Sequence, residues 1–146
     1  MSQNANVRPS ELAAVLDVVS PISQTVGSVS TGWIDASQYA QLLAVVQSGV
    51  LGGGGTLDAK FQQATDSSGT GAKDVTNAAI TQITANNKQA LINLRPEALD
   101  LANSFNYVRL TLTVGTATSL VSAIVQGFAG RYGAVQGTNV ASTATV

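Results

Sequence analysis

Residues 107–115, Tyr-Val-Arg-Leu-Thr-Leu-Thr-Val-Gly, alternate apolar and polar side chains without a break. In an extended chain successive side chains point to opposite sides, so Val108, Leu110, Leu112 and Val114 share one face and Arg109, Thr111 and Thr113 the other. A second β-rich run, 119–126, follows after a short Thr/Ala turn. The two runs read together as a half-buried antiparallel hairpin.

The same period recurs upstream. Leu57, Ala59, Phe61 and Gln63 alternate with Asp58, Lys60 and Gln62, which predicts a strand. Residues 39–49 are apolar, include Val45 and Val46, and read as a buried strand. Short strands are expected over 79–84 and 89–94, with Asn86-Asn87 as the turn between them. Residues 22–30 are rich in Ser, Thr, Gln and Val and read as extended. Over 11–19 two readings fit: Leu12, Val15, Leu16 and Val19 make a helical face behind Ser10, while Val15, Val18 and Val19 suit a strand. The strand is preferred, and Pro21 is expected to end it in either case. Residues 96–102 suit one helical turn or a bridging loop.

Turn formers separate these runs: Thr31-Gly32, the four glycines 52–55, and the Gly/Ser/Thr/Asp-rich loop 65–74. Seven or eight short antiparallel strands of this kind predict an all-β sandwich, jelly-roll-like in arrangement. Residues 1–10 read as a flexible polar arm, 11–133 as the β-sandwich domain, and 134–146 as a tail of small polar residues.

Composition changes the picture in one respect. Of 146 residues only 10% are charged, against about 25% in ordinary soluble domains. A neutral polar surface of this kind suits a protein packed against copies or neighbours, because every charge buried in an interface costs desolvation. The net charge is −1 and no block of Lys or Arg is present, so nucleic acid is not an expected partner. The sequence holds no Cys and no His, which removes disulfides, thiol nucleophiles, the commonest general base and the commonest zinc ligand. The start, Met-Ser-Gln-Asn-Ala-Asn-Val, lacks the pattern of an export signal, and no apolar run approaches the ~20 residues that span a bilayer. Synthesis in the cytoplasm and no membrane partner are therefore expected.

Candidate chemistry is sparse. Asp66, Ser68, Thr70 and Asp74 offer oxygen ligands in one loop, but no acidic residue closes it as a calcium loop requires. Gly52–Gly55 leads into Thr56-Leu57-Asp58 rather than the Lys-Ser/Thr of a phosphate loop. Trp33, the only tryptophan, is read as a core anchor; the rival reading pairs it with Tyr39 as an aromatic platform for a sugar. Asp35 and Ser37 look like a cap between them. Arg95 and Arg109 are candidates for pairing with Glu97 or Asp100. No carboxylate pair suggests acid–base work, so no catalytic residue, cofactor or metal is expected and the chain is read as non-enzymatic.

Five segments carry a resemblance: residues 33–39 (Trp-Ile-Asp-Ala-Ser-Gln-Tyr), 63–74, 79–83 (Ala-Ile-Thr-Gln-Ile), 92–94 and 107–115. Across residues 11–133 the chain resembles small head-associated proteins of tailed bacteriophages. The resemblance implies a virion protein that decorates or cements the outer capsid. Its implied partners are the major capsid protein and further copies of itself, most often as a trimer. A head-fibre base and a carbohydrate-binding module are the alternatives.

Overall fold

A computed structural model of the chain describes residues 7–145. Nine antiparallel strands lie among them: β1 (Ala13–Gln24), β2 (Gly27–Ser30), β3 (Ile34–Asp35), β4 (Gln41–Leu51), β5 (Thr56–Ala64), β6 (Lys73–Ala79), β7 (Gln89–Leu94), β8 (Tyr107–Gly115) and β9 (Ser119–Phe128). They form two sheets. The first runs β1-β9-β4-β7; the second runs β2-β8-β5-β6, with β3 also paired to β8. Because β2 and β3 both pair with β8, they count as one interrupted strand. Eight strands then remain, in the order 1-8-3-6 in one sheet and 2-7-4-5 in the other. This is the two-Greek-key order of a jelly roll, and it bears out the all-β sandwich.

The core lies between the sheets. Val108, Leu110, Leu112 and Val114 of β8 point inward with Leu57, Ala59 and Phe61 of β5. They meet Leu42, Ala44 and Val46 of β4 and Val121, Ala123 and Val125 of β9 from the opposite sheet. Each set comes from one strand at a spacing of two, as the alternation predicts.

The expected hairpin is not formed. β8 pairs with β5, β2 and β3 in the second sheet, and β9 pairs with β1 and β4 in the first. The link arches over the end of the sandwich. Ala117 N–H turns back onto the Gly115 carbonyl at 2.8 Å, and Thr116 sits at φ 70°. Alternation shows that a strand has one buried face; it does not show which strand lies beside it.

The four-glycine loop is a second arch, from β4 to β5, stacked directly on the first. Gly52 N–H donates to the Thr118 carbonyl at 3.1 Å, and Gly55 N–H closes the loop on the Gly52 carbonyl at 2.7 Å. A side chain at Gly52 would place its Cβ 2.6 Å from the Thr118 carbonyl oxygen and 2.7 Å from Ala117 Cβ. The glycine is there because the two arches touch.

Other expectations shift. β1 starts after a single helical turn, Pro9–Leu12, which settles 11–19 mostly as strand. Pro21 does not end β1. The strand runs on to Gln24, with its register slipping between Val19 and Ile22, so the missing amide falls at an irregularity of an edge strand. The strand expected at 79–84 lies at Lys73–Ala79 instead, which moves Asp74 out of the loop. Residues 80–85 are held by single contacts such as the Leu57–Ile83 bridge. β7 matches its prediction residue for residue, and β4 is displaced by two residues. Residues 96–102 form two short 3-10 turns, Pro96–Ala98 and Leu101–Asn103.

The tail lies along the exposed edge of β1. Gln136 Oε1 accepts from Val15 N–H at 2.8 Å, its amide donates to the carbonyls of Ser10 and Ala13, and Gly137 N–H donates to the Val15 carbonyl. It acts as a short strand substitute that blunts the edge. Of the predicted arm, residues 1–6 lie outside the described residues; Ser10 belongs to the helical turn and is tied to Gln136.

The arch contact yields a matched pair of variants. Gly52→Ala must displace backbone and is expected to cost about 1–3 kcal/mol, as overpacking does. Gly53→Ala meets nothing within 4 Å and is expected to be near neutral. Urea denaturation of both variants checks this.

Candidate protein-interaction surface

The two sheets turn chemically different faces outward. On the second sheet the outward positions include Asp58, Lys60 and Gln62 of β5 and Arg109, Thr111 and Thr113 of β8. Lys60 pairs with Asp74 at 2.8 Å and Lys73 with Asp100 at 2.5 Å. Serine–threonine pairs link β2 to β8, Ser28 to Thr113 and Ser30 to Thr111, each at 2.9 Å. This face is polar and its groups are engaged with one another.

The outward face of the first sheet carries no charged residue. β4, β7 and β9 contain none at any position, and the β1 residues aligned with the outward positions of β9 are Ala13, Val15, Val18 and Ser23. The register aligns Val18 with Ile124, Ile124 with Val45, and Val45 with Leu91. One apolar row therefore crosses all four strands. Leu91 is 62% exposed, Leu120 45% and Ile124 41%. Leu120 lies over Gly49, where a Cβ would come within 3.0 Å of it. The rows on either side are apolar or amide-bearing: Leu43 pairs with Gln126 and Asn93, and Gln47 with Ser122 and Gln89. Two shallow depressions of about 470 and 240 Å³ mark this face, one around Gly49 and Leu120, the other around Val18, Val45 and Ile124. A contiguous apolar patch rimmed by amides is the usual mark of a protein contact.

The residues singled out in the sequence lie elsewhere. Asp66 Oδ1 accepts from the N–H groups of Ser68 at 2.9 Å and Thr70 at 3.1 Å. Hydrogen bonds from Thr70 hold its carboxyl below the ordinary carboxylate value. Asp74, on β6, accepts from Lys60 and Gln62 of β5, so it does not join Asp66. Among the described residues no three acidic side chains converge on one point. The Gly52 amide is used between the arches and the Gly55 amide within its own loop.

Trp33 is not a core anchor. It is half-buried on the outside of the second sheet, with the Arg109 guanidinium 4.7 Å from its ring centroid. Gly69, at φ +83°, lies against the indole: a Cβ there would come within 2.5 Å of Nε1. The indole thus anchors the loop 65–72 to the sheet. Arg109 Nε donates to Gln62 at 2.9 Å and is not paired with Glu97 or Asp100; Asp100 is taken by Lys73 and Asn103. Among the described residues Arg95 has no carboxylate in ion-pair range. Trp33 and Tyr39 do border one shallow cleft, of about 340 Å³, with Asp17, Asp35 and Gln136. However, the guanidinium covers one face of the indole, and Tyr39 packs on Gly127 and Gly130. Burial, and then the nearby Asp35, raise the Tyr39 phenol above its ordinary value. Asp35 caps its turn as expected, accepting from Ser37 N–H at 3.0 Å.

The charge-free face escaped the residue-by-residue search because it is defined by register across strands. Its signal was present as the absence of Asp, Glu, Lys and Arg from 41–51, 89–94 and 119–128. Comparison with known proteins supplies no family: no family model matches the chain, and no curated protein matches its sequence.

Two expectations follow from these contacts. Phe61 is fully buried, so Phe61→Ala is expected to cost about 3–5 kcal/mol, and Trp33→Ala less than half as much; equilibrium denaturation checks the order. Asp66, Asp74 and Asp100 all have carboxyls held below the ordinary value of 3.8, the last two by Lys60 and Lys73 first. Such groups stabilise the fold above the unfolded value, and the contribution fades as pH falls through it towards the lower folded value. Melting temperature is therefore expected to hold down to about pH 4 and drop below it. Asp74→Asn and Asp100→Asn should each flatten the drop and lower stability at neutral pH.

Proposed function

We propose that this protein is a structural, non-enzymatic component of a tailed-bacteriophage particle that binds the outside of the assembled capsid and reinforces it. The observation that carries this reading is the charge-free apolar face on a jelly roll. A surface of that breadth suits another protein rather than a small molecule, and decoration works by adding buried area between neighbours. The resemblance of residues 33–39, 63–74 and 107–115 to phage head-associated proteins supports the same reading. In this role the chain is made in the host cytoplasm and ends on the virion surface, as a homo-oligomer contacting the major capsid protein. The alternative of a carbohydrate module has weaker support, because the candidate platform residue Trp33 already stacks with Arg109.

The test uses particles of the phage whose genome encodes the chain. Mass spectrometry of purified virions is expected to find it in a fixed ratio to the major capsid protein. Purified protein added to shells lacking it should sediment with them to saturation and raise their disruption temperature. Absence from virions together with failure to bind shells would overturn the reading.

A further inference from the structure

We propose that the outward face of the first sheet is a self-association surface, and that its occupant is the same face of a second copy, packed sheet on sheet. The inference goes beyond the virion reading, since it concerns the free protein, in which a second copy covers the face that the capsid would cover on a particle, and it holds or fails without a capsid.

Charge decides between the faces a partner copy can offer. If the polar face of the second sheet docked onto the apolar row, Asp58, Lys60, Asp74 and Arg109 would lose water against Ile124 and Leu91 with no new partners. Taking charges out of water is costly even where, as for Lys60 and Asp74, they are paired. The first sheet against itself buries no charge at all, and its flanking amides can bond across the contact. A two-fold contact brings a surface patch against its own copy, so a patch without charges incurs no like-charge repulsion.

Size and shape agree. Four strands about 4.8 Å apart, with roughly seven residues each at about 3.3 Å, span on the order of 450 Å² in projection. Side-chain relief brings this towards the ~800 Å² per partner of a standard interface. The inward side of the same sheet already packs on a sheet through alternating apolar residues. Val18, Val45, Leu91 and Ile124 repeat that pattern outward, and aligned sheets stack with their strands within about 30° of one another.

The contact is two-fold rather than the threefold that the resemblance implies, because face-to-face packing occupies the patch with one partner.

Sedimentation equilibrium of the full chain is expected to give twice the chain mass. Leu91 and Ile124 are exposed, so Leu91→Lys/Ile124→Lys is expected to keep the wild-type circular dichroism and to weaken self-association at least about a hundredfold, as opposed like charges do. Thr76→Lys, exposed on β6 of the other sheet, should change nothing. The natural chain has no cysteine. A lone Ile124→Cys is therefore expected to form a disulfide-linked dimer under mild oxidation, and Thr76→Cys is not. The Cys variants keep the proposal testable if the double lysine variant fails to fold. A monomer at every concentration, a trimer, or a dimer indifferent to the lysines and linked equally through position 76 would each overturn the proposal. A dimer that ignores capsids would leave it standing and remove the virion reading instead; a monomer that binds capsids would do the reverse.

Discussion

Two arches stacked at one end of the sandwich fix the rest of the fold. Gly52–Gly55 carries the chain from β4 to β5, and Gly115–Thr118 carries it from β8 to β9. Each arch leaves one sheet and enters the other, and the Gly52–Thr118 hydrogen bond holds them together. Once they are stacked, β4 must lie beside β9 and β5 beside β8. Leu51 then falls opposite Ser119, and Thr56 opposite Gly115. β5 and β8 keep the register of that junction unbroken to Ala64 opposite Tyr107, and β4 and β9 slip once between Leu51 and Ser48 before holding register to Gln41. A slip of one residue would turn Phe61 and Leu110 outward and bring Lys60 and Arg109 into the core. The outer strands are added to a frame already set.

Alternation made the architecture legible. The inward sets of β5 and β8, the buried run of β4 and the whole of β7 follow from spacing and turn residues. Pairing was not legible, and for a physical reason. A strand bounded by a tight Gly/Thr turn has the same local pattern whether the chain folds back in one sheet or arches over to another. The deciding contacts, such as Gly52 against Thr118, join residues far apart in sequence. Pro21 misled in a similar way. A proline stops a central strand, but β1 is an edge strand and its register slips at that point.

Trp33 shows a different limit. A single tryptophan beside a β-segment suggests a core position by size alone. Here the core is filled by Phe61, Leu110 and Leu112, and the indole lies outside under Arg109, where it fixes the loop carrying Gly69. Its neighbours come from β8 and from a hairpin loop, so its place could be read only once β5 and β8 were paired. The charge-free apolar face was hidden for the same reason. Val18, Val45, Leu91 and Ile124 are unremarkable singly and form a row only through three registers.

The low charge of the chain takes on a specific meaning in this geometry. Of the two sheets, one carries ion pairs and hydroxyl ladders on its outer side and the other carries neither. A uniform shortage of charge would have thinned both faces. The actual distribution keeps charge where water reaches it and removes it from one continuous surface, at the cost of leaving Leu91, Leu120 and Ile124 against solvent in the isolated chain. Exposed apolar strands invite edge-to-edge pairing as well as face packing. On β1 that hazard is met by the tail, whose Gln136 and Gly137 take up the Val15 amide and carbonyl. The edge is thus blunted while the adjoining face stays apolar, and the proposed contacts rest on that face. This bias, set by register and composition together, makes an assembly role a stronger reading than a solitary one.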